Sequence, residues 1–217
     1  MSKRIVVMLL ALMCMVCGVA MAEGQRVVVA TTYPLYDMAK IVCGDLADVQ
    51  YVPEDAEKAA AEADVVFCVG GESDAWVDAL ADAKAVKAVY GLELIEGNAD
   101  VLTIPVNCMI SVSYFADAMS ELDPDNIQVY QSNASSYIEA MIALDSHIRE
   151  AVNADMKVKG ADGSMAYFAR EYGVTEAQDS EDAIELYTYS FPAKELLETP
   201  YLELMHSNLH LLAEIAD

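Results

Sequence analysis

Positive charge is scarce in this sequence. Its 217 residues hold 12 Lys and Arg against 36 Asp and Glu, a formal net charge of −24. Such a surface repels phosphate backbones and anionic headgroups, which argues against nucleic acid and anionic membrane as partners. Histidine is also rare, with three residues, at 147, 206 and 210. No CxxC pair occurs, so neither a zinc knuckle nor a thioredoxin-like site is indicated. There is no P-loop, no Gly-x-Gly-x-x-Gly and no Gly-x-Ser-x-Gly elbow. The histidines are distant along the chain from plausible nucleophiles, and acids are too numerous for any one carboxylate pair to be informative. An enzyme is not expected from this sequence.

Apolar residues make up 55% of the chain, too many for disorder despite the charge. The N-terminus has the form of an export signal over residues 1–22. Lys3 and Arg4 precede an apolar run from Val6 to Ala20, too short for a good membrane span, and Ala20-Met21-Ala22 is a small-x-small cleavage site. The expected mature protein starts at Glu23 and is periplasmic or extracellular. Lipidation at Cys17 is the competing reading, although Val16 stands where a small residue is wanted. Cys43, Cys68 and Cys108 remain after cleavage. Cys68 lies in an apolar run and reads as core. One disulfide among the three is open and unassigned.

Short β-branched runs alternate with helical stretches in the first half. Strands are expected at Arg26 to Thr31, Val49 to Val52, Asp64 to Val69 and Ala85 to Val89. Helices are expected near Leu35 to Val42, Asp55 to Ala63 and Ala75 to Ala83. This alternation predicts a doubly wound parallel sheet in an N-terminal α/β lobe, residues 23–122. A helix over Ile110 to Leu122 leads out of it. Apolar residues then recur at Ile127, Tyr130, Ala134, Tyr137, Met141, Leu144, Ile148 and Ala151, spaced three and four apart. One stripe down a single long helix follows, a spine over 123–156 of roughly 45 Å. Asp123 is its expected N-cap, Pro124 its first residue, and Lys157 to Gly160 its terminator. A coiled coil is the alternative for such a stripe. Residues 157–217 form a reduced C-terminal lobe. There, Met165 to Tyr172 and Tyr201 to Ile215 read as helices, 175–182 as loop, and Leu186 to Phe191 as a strand.

VVVATTYPLYDMAKIVCGDLADV at 27–49 resembles the first strand and helix of the zinc/manganese-binding solute-binding proteins of ABC transporters. EADVVFCVGGESDAWVDAL at 62–80 resembles the family's next strand, with its glycines and Trp. FADAMSELDPDNIQVYQSNASSYIEAMIALDSHIREAV at 115–152 is similar to its spine. AYFAREYGV at 166–174 and TPYLELMHSNLHLLAEI at 199–215 are similar to its last segments. No motif is decisive alone; the ordered set is specific. The resemblance implies two α/β lobes joined by a rigid spine helix, with a divalent metal in the cleft. It also implies three histidine ligands and one acidic one, and delivery to a membrane permease by a monomer.

The chain departs from that pattern at the ligands. The loop for the first family histidine is shortened to Tyr51-Val52-Pro53-Glu54. Aligning back from FADAMSEL puts Asp100 at the second histidine position, and Asp162 takes the third. The acidic ligand has no counterpart. Two readings stand. In one, Asp100 and Asp162, with Glu54 or Asp55, form an all-oxygen site. Carboxylates suit manganese, magnesium or calcium better than zinc. In the other, the aspartates are ordinary loop residues of an exported accessory or interaction protein without metal binding. His206 and His210 share a helix face with Glu203, a spacing that can hold a metal. The family places this helix outside the cleft, and an exposed face is the favoured reading. His147 is expected exposed. Asn133-Ala134-Ser135 fits a glycosylation acceptor, set in the middle of the spine.

Overall fold

The computed structural model describes residues 25–79 and 84–216. The export signal, the cleavage site and Cys17 lie outside them, as do residues 80–83 at the end of the expected Trp76 helix. β1 (Arg26–Ala30), β2 (Ala47–Tyr51), β3 (Val65–Cys68) and β4 (Lys84–Lys87) form one parallel sheet in the order β2-β1-β3-β4. Val28 of β1 pairs with Val49 on one side and Val65 on the other. Val28, Val29 and Ala30 are fully buried, as are all four residues of β3. A parallel strand covered on both faces has to be a continuous apolar run, which is what these strands are.

α1 (Tyr33–Cys43) follows β1 and α2 (Ala56–Ala60) follows β2. Trp76 lies in a 3-10 stretch, Glu72–Ala79, interrupted at Asp74, and not in the α-helix expected there. α3 (Pro105–Leu122) begins earlier than expected because Pro105 opens it, its missing N–H costing nothing at a helix start.

The spine is α4 (Ile127–Ala151), 25 residues and so about 37 Å long at the usual rise. Tyr130, Ala134, Tyr137, Met141, Leu144 and Ile148 are buried, as the stripe predicts. Both ends differ from the expectation. Pro124–Asn126 is a 3-10 turn, and Asp123 is no backbone cap. Its Oδ2 accepts instead from Asn126 Nδ2 (2.7 Å) and from the Tyr130 hydroxyl (2.8 Å). At the other end Val152 is already extended, and Lys157 to Gly160 is no helix terminator. It is β5, the centre of a second parallel sheet with β6 (Thr175–Glu176) and β7 (Ile184–Leu186). Asn133 Nδ2 donates to the Val42 carbonyl (3.1 Å), so the acceptor motif is tied into the α1 contact.

α5 (Ala166–Tyr172) and α6 (Tyr201–Ala216) complete the second lobe. One apolar cluster runs from Val28 through the spine to Leu212, so both lobes share a core. Cys43, Cys68 and Cys108 are buried free thiols, and burial pushes Cys43 and Cys68 up to about 12. Among the described residues no helix is long and apolar enough to cross a membrane.

Asp37 ties α1 to α6 by accepting from the Tyr201 N–H (3.1 Å). Burial raises its pKa from 3.8 to about 6, against the lowering effects of that N–H and of Lys40. The folded state therefore holds this proton more tightly than the unfolded chain. The associated stability is full below pH ~4 and is lost as pH rises through about 6. Asp37→Asn is expected to gain on the parent by roughly 1–2 kcal/mol between pH 4 and pH 7.5. Urea melts of both proteins at the two pH values check this. Parallel pH dependences would refute it.

Candidate solute site between the lobes

In the first sheet the strand order reverses between β1 and β3, with β2 on one side of β1 and β3 and β4 on the other. Ligands of open parallel sheets collect at such a point, beyond the carboxyl ends of the strands. A cavity of about 770 Å³ lies there. Thr31 and Thr32, directly after β1, line it together with Val69, directly after β3. Both threonines are buried, at 7% and 6% exposure, and among the described residues neither Oγ1 has a hydrogen-bond partner. Asp55 and Lys58 contribute from the start of α2, and Asp74 and Trp76 from the stretch after β3. Asp74 Oδ2 accepts from the Gly70 N–H (2.8 Å), which folds that loop back on itself. From the second lobe, Ser190 and Phe191 close the cavity, and Phe191 is 64% exposed.

Asp100 lines this cavity. Its Oδ2 accepts from the Ser164 N–H of the second lobe (2.7 Å). Burial raises its pKa, the Ser164 N–H lowers it, and the charges of Asp162 and Glu176 raise it further. The Asp100 carboxylate thus sits in an environment short of positive charge. Asp162 occupies the facing loop, but both its oxygens are engaged there: Oδ1 by the Thr188 N–H (2.6 Å) and Oδ2 by the Tyr189 N–H (3.1 Å). Glu54 is exposed, and the cavity wall beside it is formed by Pro53 and Asp55. Asp100 and the loop of Asp162 therefore meet at one seam. Glu54 stays apart from it. Among the described residues, no group of three or more His, Cys, Asp or Glu is placed to hold a metal ion.

The seam is built on close approach. A Cβ on Gly163 would stand 2.8 Å from Asp100 Oδ2 and 2.7 Å from Thr188 Cγ2. Glycine there lets the loop reach Asp100. Around it the lobes are bonded directly. Asn98 Nδ2 donates to Ser164 Oγ (2.9 Å), and the Ile95 N–H to the Tyr167 hydroxyl (2.9 Å). The Tyr33 N–H donates to the Ser190 carbonyl (3.0 Å), and the Tyr201 hydroxyl to the Leu102 carbonyl (2.8 Å). These bonds join the two lobes beside the cavity.

His206 and His210 are exposed on α6, and His210 Nε2 lies 3.3 Å from Glu214. His147 is exposed on the spine. None of the three lines the cavity. Thr31 and Thr32 are the site residues that the sequence analysis passed over. Their signal was position, two hydroxyls directly after a buried strand of a parallel sheet, where such sheets keep their ligands.

The sequence profile of the family described as "Zinc-uptake complex component A periplasmic" matches residues 28–183. The zinc-binding lipoprotein AdcA of Streptococcus pneumoniae is 26% identical over 195 residues, covering 71% of this chain and 39% of that protein. The iron-binding protein YfeA of Yersinia pestis is 26% identical over 184 residues, covering 70% and 59%. The manganese ABC transporter substrate-binding lipoprotein PsaA of Streptococcus mitis is 27% identical over 195 residues, covering 72% and 62%. The chain thus spans between 39% and 62% of the length of these relatives. The Zn(II)-bound ZnuA-like domain of AdcA superposes with a TM-score of 0.76 at 20% identity, over 89% of this chain and 100% of that domain. YcdH of Bacillus subtilis, a metal-dependent lipoprotein, superposes with a TM-score of 0.74 at 21% identity, over 87% and 98%. These structural likenesses bear on the fold, and the fold agrees: two parallel sheets, a spine between them and a crevice at the switch point. With residues 28–183 matched, well over half of its length, the chain belongs to the zinc-uptake complex component A periplasmic family.

Proposed function

We propose that this chain is the exported solute-binding component of a divalent-metal ABC uptake system. The family is one of substrate-binding proteins and not of enzymes. Zinc, manganese and iron appear in the names of the relatives, and several are lipoproteins, which supports export with or without an anchor at Cys17. The ion, of the zinc/manganese type or calcium, is carried in the inter-lobe cleft by a monomer and handed to a membrane permease.

The observation that carries this reading is Asp100. It stands where the family resemblance puts a ligand, and it lines the cavity between the lobes. Its environment, short of compensating positive charge, would be relieved by a bound cation. Of the carboxylates first considered with it, Asp162 serves this site by holding the facing loop. Asp55, lining the cavity beside Glu54, is the better placed partner. A second reading, an exported accessory protein that kept the scaffold without the ion, is favoured by the absence of a three-ligand group among the described residues.

Calorimetric titration with zinc, manganese and calcium separates the two. Heat with at least one ion, a rise in melting temperature, and a loss of affinity of about tenfold or more in Asp100→Ala are expected. No heat and no thermal shift with any of the three would leave the accessory reading alone standing.

A further inference from the structure

We infer that the cavity between the lobes takes a small organic polyamine, with the Asp74 carboxylate as the anchor for one of its ammonium groups. The inference stands beside the metal-carrier reading and does not rest on it. Asp74 is 7% exposed, the only charged side chain buried among the described residues. Its Oδ2 is taken by the Gly70 N–H. Its Oδ1 has no hydrogen-bond partner among the described residues, and it is not sealed: the sealed, unpartnered side-chain atoms there are the hydroxyls of Thr31, Thr32 and Tyr137. Asp74 borders the cavity, so this oxygen is open to a ligand in it. Lys87 of β4 does not serve Asp74, because Asp78 takes it. A buried carboxylate held by one backbone N–H, with its second oxygen left over, is a half-filled site that an N–H donor with positive charge completes.

The rest of the lining says what kind of cation. Asp55 and Asp100 border the same 770 Å³ as Asp74, from two other segments of the chain, and the three do not converge on one point. Asp100 also keeps an oxygen clear: Oδ2 accepts from the Ser164 N–H, and Oδ1 has no partner among the described residues. Carboxylates spread around one cavity suit separated positive charges on one molecule. Lys58, exposed on α2, is the only basic group of the lining among the described residues, so the space favours cations. Trp76 borders it from the first lobe and the exposed ring of Phe191 from the second. Aromatic faces attract ammonium groups and cover the methylenes between them. Separated carboxylates for the nitrogens and rings for the carbon chain are the recognition chemistry of a linear aliphatic polyamine, and the cavity has small-molecule size.

Trp76 is the protein's only tryptophan, so its fluorescence reports on this cavity directly. The mature protein is titrated with spermidine and with hexaamminecobalt(III), which matches spermidine in charge and has no carbon chain, at ~150 mM salt to screen the acidic surface. Spermidine is expected to change the Trp76 emission saturably and to bind at least ~tenfold tighter than the cobalt complex. Asp74→Asn keeps an oxygen for the Gly70 N–H and removes the charge. It is expected to weaken spermidine about tenfold or more, by calorimetry, with the melting temperature within ~2 °C of the parent. Phe191→Ala, at an exposed position, is expected to weaken it about threefold with no thermal change. No saturable change with spermidine overturns the inference. Equal binding of the two cations overturns it as well, since surface charge alone then accounts for both. Full spermidine affinity in Asp74→Asn removes the anchor and with it the inference. Should that variant lose its fold, Phe191→Ala decides, and full affinity there is the overturning result. Zinc titration of the same protein is read separately: its failure falls on the metal-carrier reading, and zinc binding without spermidine binding overturns this inference alone.

Discussion

Gly160→Ala is expected to destabilise the protein by about 3 kcal/mol or more, a large effect for one methyl group. Gly160 is buried at the end of β5. A Cβ there would lie 1.7 Å from the Gly163 carbonyl oxygen and 2.7 Å from its carbon. Both are backbone atoms, so no side-chain rotation relieves the clash. Either β5 moves or the loop after it does. β5 is held by Val158 and Lys159 pairing with β7, and Gln178 brackets Gly160 through both its N–H and its carbonyl. The loop therefore yields. It carries the Ser164 N–H away from Asp100 and Asp162 away from Thr188, so the lobe contact is lost with the packing. Denaturant unfolding gives the stability. The Ser164 and Thr188 amides, followed by hydrogen exchange, show whether the seam opens selectively. A loss under about 1 kcal/mol with both amides still protected would show that the turn is not sterically fixed.

The seam also shows what the residue pattern could and could not reveal. The spine stripe was legible because helix periodicity is local, and six of its eight residues are buried. Its ends were not. Ile127 is 42% exposed, and the helix stops at Ala151, where the chain leaves for a strand whose partners lie up to some thirty residues ahead. Lys157 to Gly160 has a polar, cationic start, and β6 is the two-residue pair Thr175–Glu176. Neither has a strand pattern, because both are defined by pairing with distant residues. In the first lobe the two central strands show the opposite: β1 and β3 are buried on both faces and declare themselves as apolar runs, while β2 and β4 at the edges carry polar residues and were placed only to within a few residues. At the site, alignment against the family brought Asp100 and Asp162 to one place. It could not show that Asp162 would turn both oxygens onto backbone N–H groups, or that Asp100 would accept one across the lobes. Those bonds depend on Thr188, Tyr189 and Ser164, which are remote in sequence. The nearness of Asp100 to the Asp162 loop was thus legible, while the hydrogen bonds of both, the distance of Glu54 and the place of Thr31 and Thr32 were not.

Asp162→Ala separates a structural aspartate from a ligand, and a loss of about 3 kcal/mol is expected. The residue is exposed, and surface substitutions ordinarily change stability by less than about 0.5 kcal/mol. Two bonds make this one different. Thr188 is 2% exposed, and its N–H donates to Oδ1 at 2.6 Å. Tyr189, which donates to Oδ2 at 3.1 Å, has φ +54°, a left-handed conformation that a bulky residue adopts only when its surroundings hold it there. Charged acceptors are worth roughly 1.5–3 kcal/mol each, and deletion leaves a buried donor without a partner. Tyr189 then relaxes, and Ser190 and Phe191, which close the cavity, move with it. Asp162→Asn keeps one acceptor oxygen and is expected to lose about half as much. Its zinc affinity is expected to stay within about threefold of the parent, in contrast with Asp100→Ala. Should Asp162→Ala unfold within about 0.5 kcal/mol of the parent while zinc affinity falls tenfold or more, Asp162 is a ligand, and the loop it was thought to hold is held by something else.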